Sequence, residues 1–271
     1  MSQRVVFRSP LLIVFVGLVG TLLAGCADEE KDVYKERPVE QIYNDGMDFL
    51  ADQSFGKAAK AFDDVERQHP YSVWATKAEL MAAFAYYQDN HYDDAINELE
   101  RYILLHPGNK DAPYAYYLKA ICYYERIGDV ARDQKVTEDA LKALQQVVDR
   151  FPASRYAADA KLKEDLARDH IAGKEMTIGR WYQSQHMYLA AINRYRTVID
   201  NYQTTTHVPE ALERLDECYE SLGLKNEATK AAAVLGYNYP GNPWYADAYG
   251  LVKGLKGQPD QQDSGWFDWL W

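Results

Sequence analysis

The chain has 271 residues, 41 acidic against 30 basic side chains, a formal net charge of −11, 47% hydrophobic residues and 22 tyrosines. That length supports a sizeable core and one or two domains. The acidic balance argues against a nucleic-acid partner and against broad docking on anionic lipid, since both need basic surface.

Arg4 and Arg8 open the chain, and Leu11 to Leu23 is almost wholly apolar. That run is too short and wrongly flanked for a membrane span. Leu23-Ala24-Gly25-Cys26 follows. Small residues precede the cut in any secretory signal, but a cysteine at the cut is not required. The four residues resemble the lipobox of bacterial lipoproteins. The resemblance implies removal of residues 1–25, a diacylglycerol on the Cys26 sulfur and an acyl chain on its new amino terminus. No other cofactor is expected. More than one acyl chain holds a protein on a bilayer far better than one. Plain secretion or an uncleaved anchor is the alternative. Residues 26–38 are charged and short, and read as a tether between lipid and body.

The body reads as all-α. Ala, Leu, Glu, Lys and Gln are plentiful and no long alternating pattern appears. Gly46, Phe49, Phe55, Ala58, Phe62, Val65 and Pro70 recur 37 residues later as Ala83, Tyr86, Tyr92, Ala95, Leu99, Tyr102 and Pro107. A small residue and an aromatic three later share one helix face. Ala58 and Phe62 belong to the next helix, and the proline ends it. This is the tetratricopeptide (TPR) pattern, in which small residues let two helices approach and large ones fill between pairs. Ala120, Tyr123, Ala140, Leu144, Val147 and Pro152 make a third copy, with eight extra residues between its helices within Arg126 to Thr137. Residues 153–173 read as an additional helix. Gly179, Tyr182, Tyr188, Ala191, Tyr195 and Val198 make a fourth copy. Asp216, Tyr219, Ala228, Ala232, Leu235 and Pro240 make a fifth, with an atypical Asp at the small position. The expected fold is a right-handed TPR superhelix, an α-solenoid of about five helix pairs. Residues 39–152 hold the first three repeats, and residues 153–250 hold the extra helix and the last two. Residues 251–271 form a tail whose end carries Trp266, Phe267, Trp269, Leu270 and Trp271. Such aromatics suit a membrane interface, a partner's groove or the last repeat.

Sites for chemistry are not evident. The six histidines show no metal-ligand spacing. His69 and His106 precede equivalent prolines and read as helix-end residues. Cys122 and Cys218 occupy the same repeat position, too far apart to bond, and read as buried small hydrophobes. Asp63-Asp64 and Asp93-Asp94 read as solvated pairs. Glu220-Ser221 matches a pair found at the catalytic glutamate of lytic transglycosylases, but it ends a repeat helix and has no lysozyme-like domain around it. A TPR array offers a groove instead, lined by the first helix of each pair. Residues one and four beyond the small position, and three and six before it, should face that groove. This selects Tyr43, Met47, Leu50, Leu80, Phe84, Tyr87, Tyr114, Tyr117, Ile121 and Tyr124. Such a surface suits an extended, aromatic-containing peptide through stacking and hydroxyl hydrogen bonds.

Several segments then point to one family. They are His69-Pro70-Tyr71-Ser72, Ala83-Phe84-Ala85-Tyr86-Tyr87, His106-Pro107, Tyr114 to Leu118, the inserted Arg132-Asp133-Gln134, Phe151-Pro152-Ala153-Ser154-Arg155-Tyr156 and Ala191-Ile192-Asn193-Arg194. From about residue 22 to 240 the chain resembles the BamD (ComL) lipoprotein family of the outer-membrane β-barrel assembly machinery. The resemblance implies a non-enzymatic lipoprotein on the periplasmic face of the outer membrane. Ala27 follows the cysteine, so the familiar inner-membrane retention residue, Asp, is absent. The implied partners are the POTRA domains of a BamA-type insertase, other assembly lipoproteins, and C-terminal segments of unfolded outer-membrane proteins held by the first repeats. Arg194 matches a family arginine that faces the insertase. A TPR lipoprotein scaffold for cell-wall or division proteins is the competing reading, for which a coiled coil would be expected, and no sustained heptads occur.

Overall fold

The computed structural model describes residues 36–130 and 132–254. The signal segment, Cys26, almost all of the tether, and the Trp-rich end lie outside the described residues. The described residues form eleven α-helices: α1 (Val39–Ala51), α2 (Phe55–Gln68), α3 (Val73–Gln88), α4 (Tyr92–Leu105), α5 (Ala112–Tyr124), α6 (Lys135–Arg150), α7 (Ala157–Ser184), α8 (Tyr188–Asn201), α9 (Val208–Ser221), α10 (Lys225–Asn238) and α11 (Pro243–Val252). Each helix packs on its neighbours in sequence, as a solenoid of helical hairpins requires.

The repeat is written into the turns. Within repeats one, two, four and five, the residue at the bend has a positive φ: Gln53 (57°), Asn90 (59°), His186 (57°) and Gly223 (73°). The next amide then reaches back to the carbonyl five positions earlier, as in Ser54 N–H to Phe49 O (2.8 Å) and Leu224 N–H to Tyr219 O (2.8 Å). His91 to Tyr86 and Met187 to Tyr182 do the same at 2.9 Å. This Schellman closure satisfies carbonyls that a helix end would otherwise leave open. The carbonyl used is that of the repeat's own aromatic residue. In repeat three the eight-residue insertion replaces this turn, and Gln134 Nε2 ties it by donating to Val130 O (3.2 Å) and Arg132 O (3.0 Å).

Between repeats, His69, His106, Phe151, Tyr202 and Tyr239 end the second helices. The helix-end placing of His69 and His106 agrees with the sequence. New helices start on Ser72, whose Oγ accepts from Ala75 N–H (3.1 Å), and on Asn242, whose side chain accepts from Trp244 N–H (3.1 Å). Pro113, Pro209 and Pro243 sit in first turns, where a missing N–H costs nothing.

Packing follows small-against-large complementarity. A methyl placed on Gly46 would lie 2.7 Å from the Phe62 ring, and one on Gly179 would lie 2.5 Å from the Tyr195 ring. Phe62, Leu99, Leu144 and Tyr195, the large members of the first four repeats, are fully buried. Cys122 and Cys218 are buried free thiols, as their shared position implies.

Two elements differ from expectation. Residues 153–173 do not form a separate helix; from Ala157 they run without a break into the first helix of repeat four, making the 28-residue α7. No proline interrupts the span, and Gly173 is buried at its middle, where Thr177 Oγ1 donates to its carbonyl (2.9 Å). Pairs four residues apart, Asp159–Lys163 (2.8 Å) and Glu164–Arg168 (3.0 Å), strengthen the first half. The first half packs on repeat three through Ala160, and the second on repeats four and five through Ala172 and Met176. The chain also makes an eleventh helix, ending two residues inside the segment read as tail. It covers α9 and α10, placing Tyr245 where a Gly236 side chain would stand (2.4 Å). An end repeat needs such a cover to hide its apolar face.

Candidate functional site

The ten residues expected to line the groove separate into distinct neighbourhoods. Tyr43 packs edge-on to Phe62 (5.4 Å between centroids) and against Trp74 (4.9 Å). Together with Leu80 and Tyr102 it borders a pocket of about 480 Å³ between α1 and the turn before α5. Met47 is exposed, whereas Leu50 packs on the Phe62 cluster. Leu80 is largely buried, and Ile121 is core and offers no surface to a ligand.

The aromatic centre lies on α3 and α5. Phe84 and Tyr87 contact each other (6.4 Å), and Tyr87 reaches Tyr92 (6.0 Å). Tyr117 stacks on Tyr156 at 4.9 Å and 21°, and Tyr114 lies 5.6 Å from the same ring. Tyr156 comes from the turn before α7. Its motif is visible in the sequence, but the groove rule covers helix positions only and passes it over. Arg155 lies over the Tyr156 ring (4.8 Å), and Tyr117 donates to Asp159 Oδ2 (2.6 Å). Burial raises the phenol pKa of Tyr87 and pushes that of Tyr114 up to about 12; burial and the Asp159 bond raise Tyr117 further. A phenol is protonated at neutral pH in any case, and Tyr117 already gives its proton to Asp159. Half-buried aromatic rings with polar tips suit an extended chain that alternates apolar groups with backbone acceptors.

Tyr124 stands apart from this centre. Its ring lies under the Lys163 ammonium (5.7 Å) and borders a second cleft, of about 760 Å³, between the repeat-three insertion and α7.

A polar lattice joins repeats one and two. Arg101 on α4 grips Glu66 on α2 with both nitrogens, and also Glu98. Tyr86 donates to Asp63 (2.8 Å), and His106 Nε2 lies 3.1 Å from the buried carboxylate of Glu79. Bidentate arginine fixes geometry as well as charge. No cluster of three or more metal-binding side chains occurs among the described residues.

Alongside their aromatics the last two repeats carry a network of charge. Arg180 bonds Glu210 (2.8 Å), Gln183 bonds Glu217 (2.8 Å), and Arg214 bonds Glu217 (2.9 Å) while covering Trp244 (5.6 Å). Arg194, on α8, is held by Glu175 of α7 at 3.1 Å. Its guanidinium is thus bound within the solenoid, and the side chain as a whole is 40% exposed. Glu213 and Asp216 are buried with carboxylate oxygens that have no hydrogen-bond partner among the described residues.

The model of a family described as outer membrane lipoprotein, YfiO, matches residues 35–235. The chain is 50% identical over 252 residues to the outer membrane protein assembly factor BamD of Caulobacter vibrioides, covering 92% of this chain and 83% of that one. It is 45% identical over 236 residues to BamD of Rickettsia prowazekii, covering 87% and 94%. Among solved structures, the P58(IPK) TPR domain aligns at a TM-score of 0.40 and 16% identity, over 80% of this chain and 56% of that one.

Proposed function

The chain belongs to the YfiO family of outer membrane lipoproteins, a family of outer-membrane protein assembly factors, and on that premise we propose how its two halves divide the work. Repeats one to three hold an extended end of an unfolded outer-membrane protein. The last two repeats hold the POTRA domains of the insertase, near other assembly lipoproteins. The protein catalyses no reaction; it brings client and insertase together and favours folding and insertion. Acyl chains on Cys26 keep it at the periplasmic face of the outer membrane. No helix among the described residues is long and apolar enough to cross a bilayer, so membrane residence is assigned to lipid.

The observation that carries this reading is the cluster of Tyr87, Tyr114, Tyr117 and Tyr156, half-buried rings with polar tips drawn from two helices and a turn. Packing alone would be met by Phe or Leu; the polar tips add directed hydrogen bonding. The insertase surface is assigned to the side of α8 that carries Arg194. A partner carboxylate can take Arg194 without displacing Glu175, which uses one guanidinium nitrogen and leaves the others to donate.

The test is a pull-down from detergent-solubilised envelope with the wild type, Arg194→Glu, and Phe84→Ala/Tyr87→Ala. A POTRA-bearing barrel should co-purify with the wild type and fall away in Arg194→Glu. The double variant should keep the barrel yet bind a fluorescent C-terminal peptide of an outer-membrane protein at least about tenfold more weakly, given the anchor energies of buried aromatics. Capture of cell-wall or division proteins without the barrel would replace this reading with the scaffold.

A further inference from the structure

The chain enters its first repeat at an edge of the solenoid that carries exposed apolar side chains. The two helices of a repeat run antiparallel, so the starts of the first helices and the ends of the second helices share one edge. That edge holds the start of α1 and the turns before α3 and α5. Tyr71 stands there fully exposed, Val73 is 78% exposed, and Leu104 and Leu105 close α4 with 79% and 56% exposure.

Contacts tie the pieces together. Tyr43, one turn into α1, packs on Trp74 at 4.9 Å, and the Lys77 ammonium lies over the same Trp74 ring at 5.3 Å. The pocket of about 480 Å³ that Tyr43 borders is also lined by Val73, Lys77 and Lys110. Both lysines are exposed, and Asp111 is the one acidic side chain among the lining residues. Two cations to one anion reverse the balance of a chain whose net charge is −11.

Single exposed apolar residues are ordinary. A group of them backed by Tyr and Trp and flanked by lysine has the composition of a surface that meets lipid headgroups. Chain connectivity brings that surface to lipid. Pro38 caps α1 at this edge, and Cys26 lies twelve residues before it. Fully extended, those residues span at most about 40 Å. This edge is therefore the part of the folded body within shortest reach of a lipid on Cys26. The bends inside the later repeats expose Met187 and Leu222, but on the opposite edge, a helix length or about 20 Å away.

We infer that Tyr71, Val73, Leu104 and Leu105, with Lys77 and Lys110 beside them, form a membrane-resting edge. The apolar side chains sit among lipid headgroups, and the ammonium groups meet lipid phosphate. A short tether gives an effective concentration in the millimolar range, so contacts too weak to hold free protein suffice to orient tethered protein. The inference rests on the reading of Cys26 as the lipid-bearing residue and adds orientation to it. Lipid alone sets a distance; this edge sets which side of the stack faces the bilayer.

The test uses residues 26–271, the chain that signal removal leaves. Cys26 is coupled to a maleimide-bearing lipid in vesicles of phosphatidylethanolamine and phosphatidylglycerol. Cys122 and Cys218 are buried, which leaves Cys26 for coupling. Amide hydrogen exchange, read by mass spectrometry, is compared with that of the uncoupled protein. Peptides covering 69–74 and 104–110 should slow by at least about fivefold, the weight of one lysine at an anionic surface. Peptides across 184–188 and 221–225 should not change. Lys77→Glu/Lys110→Glu and Tyr71→Ser/Val73→Ser alter exposed side chains and so leave folding intact; each should abolish the slowing. Unchanged exchange at 69–74 and 104–110, equal slowing at both edges, or slowing that survives both variants would overturn the contact. Slowing that appears only after a POTRA-bearing barrel is added would give the edge to a protein and overturn it equally. Chemical coupling keeps these outcomes independent of acylation in the cell. The mass of the N-terminal peptide from envelope-purified protein reads acylation separately, and an unmodified Cys26 there would overturn the anchor and, with it, this orientation in the cell.

Discussion

The ring of Tyr195 occupies the space a side chain on Gly179 would need, with Cε1 only 2.5 Å from a methyl built there. The ring is fully buried, and its hydroxyl donates to Gln183 Oε1 at 2.7 Å. It is therefore tethered at both ends and cannot swing clear. Gly→Ala inside a helix ordinarily stabilises by up to about 1 kcal/mol. Gly179→Ala should instead lose about 1–3 kcal/mol to overpacking, seen as a lower urea midpoint at unchanged slope. Gly108→Ala, with nothing within 4 Å, is the control and should be near neutral. An unshifted midpoint for Gly179→Ala would show that α7 and α8 separate without cost.

Asp216 stands at the position filled by Gly46, Ala83, Ala120 and Gly179 in the other repeats. It is 0% exposed, and burial, with Glu220 and Glu217 near, pushes its pKa up to about 7. In the unfolded chain the carboxyl ionises near pH ~4. The unfolded state thus sheds its proton first, and stability falls as pH rises from about 4 to about 7, then levels. Asp216→Ala should exceed wild type by a few kcal/mol, on the order of 2–4, at pH 8, and the gap should narrow toward pH 4. Urea melts at both values measure it. A gap independent of pH would mean that the native carboxyl is already ionised.

Cys122 and Cys218 should resist alkylation. Burial pushes both thiols up to about 12, and only the thiolate reacts. Iodoacetamide at pH 8 should label them at least about a hundredfold more slowly in the native protein than in urea. Mass spectrometry of the two peptides reads each site, and fast native labelling of one would place a local opening at its repeat.

Arg194 and Glu175 can be separated by comparing variants. A pair this exposed contributes at most about 1 kcal/mol. Arg194→Ala and Glu175→Ala should each leave the melting temperature nearly unchanged. If the insertase reads the guanidinium, only Arg194→Ala should reduce barrel capture. Equal loss in both would show that the pair acts by orienting α8 on α7.

Much of the fold was legible because a solenoid repeats its local physics. The small-to-large offset within each repeat placed Gly46 under Phe62 and Gly179 under Tyr195, and the 37-residue spacing put His69 and His106 at equivalent helix ends. The continuity of α7 was not legible. Its two halves pack on different repeats, and Gly173 looks like a breaker until its burial is known. Of the groove, Phe84, Tyr87, Tyr114 and Tyr117 lie within one aromatic neighbourhood, but Tyr156 enters from a turn and Ile121 withdraws into the core. Helical periodicity says which way a residue faces on its own helix and nothing about what a turn brings alongside.

The sequence by itself determined the helices, their pairing and the positions where small meets large, because these depend on neighbours three, four and 37 residues away. It also carried the family signature along most of its length. Only the tertiary structure decided that Arg194 is met by Glu175, that α11 closes the last repeat, and that Val130, Gly173 and His207 converge on the floor of one cleft. Those meetings depend on how each repeat is rotated on the one before it. That rotation is set by the sum of many side-chain contacts across the stack, and no single spacing along the chain encodes it.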